Sequence, residues 1–154
     1  SFPKLAGQGE LYLTKQLIDI RDGARSVPQM SGILTGRTDQ DLADLAAYYS
    51  AQKVTIGATD PELLDLGRQI YRAGIAAKGV AACSACHSPT GAGNSQAAFP
   101  ALSGQHADYV IAQLKAYRTE TRTNGQAMMM QQVAALMSDK EIEAVASYVQ
   151  GLSE

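Results

Sequence analysis

Two cysteines and a histidine stand together in the stretch CSACH: Cys83, Cys86 and His87. The chain has no other cysteine. Three chemistries use this spacing. Thiols two residues apart can add to the two vinyl groups of haem, with the histidine that follows placed to ligate the iron. Zinc also takes thiolate and imidazole, but a structural zinc wants four ligands, and His106 is the one further histidine. A redox-active dithiol expects a strand ahead of it in a βαβ context, and no strand pattern precedes Cys83. The helical surroundings favour haem.

A haem iron held by one histidine needs a sixth ligand for electron transfer. His106, Met128, Met129, Met130 and Met137 are the candidates. A methionine in a helix is ordinarily core filler, so residue type alone does not choose. An internal repeat does. FPKLAGQ at 2–8 returns as FPALSGQ at 99–105. Tyr12, Gln16, Leu17, Arg21 and Arg25 then fall on Tyr109, Gln113, Leu114, Arg118 and Arg122. After a short length difference, Thr38, Asp39, Asp41 and Tyr48 fall on Ser138, Asp139, Glu141 and Tyr148. The first copy has a single methionine, Met30, nine residues before Asp39, and Met130 stands nine before Asp139. Met130 is therefore the expected ligand. Met128 and Met129 read as neighbours that shield the haem edge, and Met137 as core. His106 falls on Gly9 and reads as a surface residue or a local hydrogen-bonder.

The elements that must position these groups read as helices throughout. Ser138-x-x-Glu141 is a capping box ahead of Ile142, Val145, Ala146 and Val149, with Gly151 where a C-cap belongs. Thr38-x-x-Asp41 repeats it ahead of Leu42, Leu45, Ala46 and Tyr49. A helix over 105–117 buries Val110, Leu114 and Tyr117. Another starts at Asp60-Pro61 as N-cap and N1 and buries Leu63, Leu66, Ile70 and Tyr71. Gly67 in its middle costs helix stability and marks close approach of a second helix. Residues 88–98 form a small-residue loop.

The expected fold is all-α, in two tandem domains, the first one incomplete at its N-terminus. Residues 1–52 are the remnant of the first, without a C-x-x-C-H; 53–59 are a linker; 60–154 are the second. Length and composition agree with a globular chain, 154 residues at 45% hydrophobic and 18% charged. Tryptophan is absent and Phe is scarce, so a bulky cofactor would help fill the core. A net charge of −2 with no basic run gives no sign of nucleic acid as a partner. No apolar run is long enough to span a bilayer. No secretory leader is read in the sequence; if the protein is exported, the leader has been removed or was never part of this sequence.

GRQIYRAG, CSACHSPTGAG, FPALSGQHADYV and SDKEIEAVASYVQGL resemble the second domain of cytochrome c4, a two-haem bacterial class I cytochrome c family. FPKLAGQGELYLTKQL, VPQM and TDQDLADLAAYYSAQ resemble the later part of its first domain. The resemblance covers essentially the whole chain, except that the C-x-x-C-H of a first domain does not precede Phe2. It implies tandem class I cytochrome c-like domains, the first one incomplete at its N-terminus, and haem c, one covalent in this chain and two in the full-length family, with Met30 ligating iron only if a separate N-terminal segment supplies the first attachment site. It implies that the Pro100 carbonyl accepts the His87 Nδ1 proton. Arg118 and Arg122 are expected at haem propionates or the domain interface, and Tyr71 and Tyr109 at the haem pocket or core. The implied activity is that of an electron carrier, not an enzyme. It would work in the periplasm, between a cytochrome bc complex and a haem–copper (cbb3-type) oxidase, loosely membrane-attached. The alternatives are a peroxidase-like haem enzyme with a displaceable Met130, and a structural metal or disulfide module.

Overall fold

The computed structural model describes residues 2–153. Among them the fold is all-α: α1 Glu10–Asp22, α2 Pro28–Leu34, α3 Asp39–Ser50, α4 Leu64–Ala73, α5 Ser84–His87, α6 Ala107–Arg118, α7 Met129–Ala135 and α8 Asp139–Gly151. β-structure among the described residues is limited to two isolated bridges, Ile75 with Val80 and Asn94 with Phe99. α1 packs on α3 and α2, while α4 and α6 pack on α8, with α7 against α6.

Both capping boxes form. Thr38 and Ser138 each accept from the backbone N–H three residues on, and Asp41 and Glu141 reach back to the cap N–H. α8 then buries Ile142, Val145, Ala146 and Val149 against Ile70 and Tyr71 of α4 and against Val110 and Leu114 of α6. The Tyr71 and Tyr148 rings meet with centroids 5.4 Å apart. Gly67 lies at the α4–α8 crossing. A Cβ there would collide with the Ala144 carbonyl oxygen and lie 2.7 Å from Tyr148 Cβ.

Two boundaries differ from expectation. α4 begins at Leu64, not at Asp60-Pro61. Asp60 instead closes a turn: its Oδ1 accepts from Glu62 N (2.9 Å) and its carbonyl from Leu63 N (3.1 Å). Its own N–H donates to Ser147 Oγ (2.9 Å), which ties the turn to α8. Gly151 is the last residue of α8 and Leu152 is the C-cap. Glycine is required there because the 53–59 segment passes close by, and a Cβ would lie 2.6 Å from Thr59 N. That segment lies against α8, with Gly57 N donating to Gln150 O (2.9 Å) and Gln150 Nε2 to Ala58 O (3.0 Å).

Candidate functional site

α5 is a single turn closed by His87 N–H donating to Cys83 O (2.9 Å). It presents Cys83, Cys86 and His87 to one cavity of about 640 Å³. The loop after it is built from small residues because it folds tightly on itself. Leu102 N and Ser103 N both donate to Gly91 O (2.7 and 3.0 Å), and Gly93 N donates to His87 O (2.9 Å). Tyr71, buried between α4 and α8, donates its hydroxyl to Ser88 O (2.6 Å) and fixes where the loop starts.

His87 Nδ1 lies 2.8 Å from the Pro100 carbonyl oxygen. A carbonyl only accepts, so the imidazole proton sits on Nδ1 and Nε2 keeps its lone pair. Burial holds the His87 pKa below its ordinary value, opposed by the bond to Pro100. The ring is therefore neutral at pH 7 and competent as a metal ligand. Burial also pushes the Cys83 thiol up to about 11.

α7 brings Met130 to the same cavity, half-buried beside Val133, with Met129 next to it. Met128 is exposed and does not line the cavity, while Met137 is buried in the core and also borders the cavity. His106 is exposed at the N-cap position of α6. Met30 lines this cavity too, because α1 and α2 close its other side.

The repeated arginines divide into two kinds. Arg118 does not line the cavity and bonds within its own half, to Met137 O (3.0 Å) and Asp139 Oδ1 (2.6 Å). Arg21 does the same with Arg37 O (3.0 Å) and Asp39 (2.7 Å). These arginines staple α1 to the capped start of α3 and α6 to that of α8, so Arg118 lies outside the cavity lining and bonds within its own half. Arg122 and Arg25 line the cavity and cross the junction. Arg122 donates to Gln113 (2.8 Å) in its own half and to Gln16 (3.0 Å) and Tyr12 OH (3.1 Å) in the other. Arg25 reciprocates with Gln16 (2.9 Å), Tyr109 OH (2.8 Å) and Gln113 (3.2 Å). Neither guanidinium has a carboxylate partner among the described residues. Burial raises the Tyr117 phenol beside Arg122 to about 12.

Reasoning from the sequence missed the two glutamines of FP-x-L-x-G-Q. Gln8 grips the Ala101 peptide through both N–H (2.7 Å) and O (3.0 Å), and Gln105 grips the Lys4 peptide likewise (2.9 and 3.0 Å). Their recurrence in register was the signal.

The donor set fits a haem. A half-buried thiol (Cys83) and an exposed one (Cys86) line the cavity, a neutral imidazole has one free nitrogen, a thioether comes from another helix, and the walls are largely apolar. The cavity lies within the range of about 300–1,000 Å³ usual for bound small molecules. Comparison with known proteins agrees. The cytochrome c family profile matches residues 64–153. The chain is 54% identical to cytochrome c4 of Pseudomonas aeruginosa, covering 99% of this chain and 76% of that one. It is 52% identical to cytochrome c4 of Azotobacter vinelandii, covering 99% and 77%. The crystal structure of reduced recombinant cytochrome c4 from Pseudomonas stutzeri superposes with a TM-score of 0.95 at 50% identity, over 98% of this chain and 85% of that one. With its covalent haem c and its electron-transfer role, the chain belongs to the cytochrome c4 family.

Proposed function

We propose that this chain shuttles single electrons in the periplasm through a haem c attached at Cys83 and Cys86 and ligated by His87 and Met130. The supporting observation is that His87, its Nδ1 engaged by Pro100, and Met130 line one largely apolar cavity. The bound haem supplies a one-electron ferric/ferrous couple. Pro100 fixes the plane and tautomer of the His87 ring and raises its basicity. The Met130 thioether favours the reduced state and raises the potential. The apolar walls keep water from the metal. Arg25 and Arg122, lacking carboxylate partners, are suited to hold the cofactor's propionates, with Tyr109 orienting Arg25. Met30 would play Met130's part for a haem carried by a C-x-x-C-H segment ahead of residue 1. We place the domain boundary in the 53–59 segment.

The electron donor in this proposal is a cytochrome bc complex and the acceptor a haem–copper oxidase of the cbb3 type, at the membrane surface. No helix among the described residues is long and apolar enough to cross a membrane. A relative 38% identical, from Stutzerimonas stutzeri, is named a thiosulfate dehydrogenase electron acceptor, which supports exchange with other redox enzymes as well.

The test is the intact mass of matured protein under denaturing conditions, with the absorption spectrum of Met130→Ala. Expected are a mass one haem above the polypeptide and loss of the methionine-to-ferric-iron charge-transfer band in the variant. A bare polypeptide mass would overturn the attachment, and a retained band would overturn the ligand.

A further inference from the structure

The segment that carries Met130 is longer than its counterpart in the first half, and the extra residues reach across the junction. Arg122 and Met130 are eight positions apart, whereas Arg25 and Met30 are five apart. Asn124 lies in the longer segment, and every polar group it offers on that side is used. Its Nδ2 donates to Asp19 Oδ2 (2.7 Å) and Gln16 Oε1 (2.9 Å). Its Oδ1 accepts from Arg122 Nε (3.1 Å) and its carbonyl from Lys15 Nζ (2.9 Å). Lys15, Gln16 and Asp19 all belong to α1, and Lys15 is itself paired with Asp19.

Between this anchor and Met130 the backbone is strained. Ala127 (φ 49) and Met128 (φ 58) are successive non-glycine residues in the left-handed region. Side-chain-bearing residues hold that conformation only where their surroundings impose it. Met128 is exposed and its side chain supplies no such constraint. The constraint comes from the ends: α7 on one side, Asn124 clamped to α1 on the other. Among the described residues the first half shows no reciprocal clamp, since its shorter segment has no residue matching Asn124.

We propose that α1 of the first half positions the axial methionine of the second half's haem, with Lys15, Gln16 and Asp19 holding the Met130 segment through Asn124. These are positioning residues, remote from iron. Loosening the clamp lets the left-handed pair relax and raises the population in which Met130 has left the metal. Methionine ligation in one half thus depends on the docking of the other. This inference rests on Met130 being the ligand.

The experiment uses the matured holoprotein and imidazole as a competing ligand for ferric iron. Asn124→Ala and Asp19→Ala both remove the charge-assisted hydrogen bond between Asn124 Nδ2 and Asp19 Oδ2, a loss that by itself corresponds to roughly a tenfold rise in the methionine-off population. Expected are roughly tenfold tighter imidazole binding, a lower reduction potential and faster amide hydrogen exchange over 125–130. The exchanged pair Asp19→Asn with Asn124→Asp restores donor and acceptor and should recover most of the effect. Should the alanine variants fail to fold, Lys15→Ala breaks its half-exposed contacts to Asn124 O and Asp19 and carries the same readouts. Unchanged imidazole affinity, potential and exchange in the clamp variants, where a separate Met130→Ala protein does lose the charge-transfer band, would overturn the clamp. A band that survives Met130→Ala would instead overturn the ligand assignment.

Discussion

Replacing Gly93 with alanine should damage both the stability of the second half and the electronic setting of His87. Gly93 has φ +75, and a Cβ there would lie 2.5 Å from Phe99 O, 2.7 Å from Ala101 N and 2.7 Å from the Pro100 carbonyl carbon. Two costs combine. A side chain in the left-handed region costs about 1–2 kcal/mol. Overpacking adds about 1–3 kcal/mol, towards the upper end here because the obstructing atoms are backbone and cannot rotate aside. The sum, about 2–5 kcal/mol, is a large share of the roughly 5–15 kcal/mol that stabilises a typical domain. Gly79 separates the two costs, because it has φ +73 and a Cβ there would meet nothing within 4 Å. Gly79→Ala should therefore lose only the backbone cost. The peptide displaced in Gly93→Ala is the one whose carbonyl accepts the His87 Nδ1 proton. A weaker acceptor makes the imidazole a poorer donor to iron, so the reduction potential should rise in Gly93→Ala and stay put in Gly79→Ala. Denaturant unfolding and spectroelectrochemical titration of both proteins read the two effects. Equal stability losses and equal potentials in the pair would refute the reasoning.

Gly67→Ala should destabilise the α4–α8 crossing despite alanine's better helix propensity. The gain of about 1 kcal/mol is outweighed by collision with the Ala144 carbonyl, and thermal unfolding should show a lower midpoint. Glu141→Gln should flatten the acid limb of stability. The Lys78 ammonium first, and then the Ser138 N–H, hold the Glu141 carboxyl below its ordinary value of 4.5. The contribution is thus complete above that value and is lost as pH falls through the depressed folded value. The variant should be weaker at pH 7 and converge with the parent in acid, as followed by denaturant midpoints across pH.

The sequence made the helical fold legible because its signals are local. Two capping boxes sit at matching places in the repeat, and each precedes an apolar stripe of helical period. The match of Met30 with Met130 came from register, which survives where residue type is ambiguous. Local signals failed where tertiary contacts decide. Asp60-Pro61 has the form of a helix start, but Ser147 and the Asp60 turn hold it back by three residues. Gly151 has the form of a C-cap, yet its lack of a side chain serves the passing segment. Arg118 and Arg122 look alike in sequence, four residues apart. One falls on the capped end of α8 and the other on the junction, and no periodicity separates those fates.

The junction explains why so much polar sequence recurs unchanged. Units joined by a short segment ordinarily move against each other unless their interface is extensive. Here Gln8 and Gln105 each satisfy a peptide group of the opposite half, and Arg25 and Arg122 each satisfy a tyrosine and a glutamine there. Separation would leave these partly buried groups unpaired, at about 1–3 kcal/mol for each that water does not reach. Because the tyrosines and glutamines that the arginines reach are themselves repeated, one substitution there removes a bond and strands its counterpart. The symmetric contacts thus fix the two halves on either side of one cavity. The unsymmetric one, Asn124 on α1, is left to act on a single methionine.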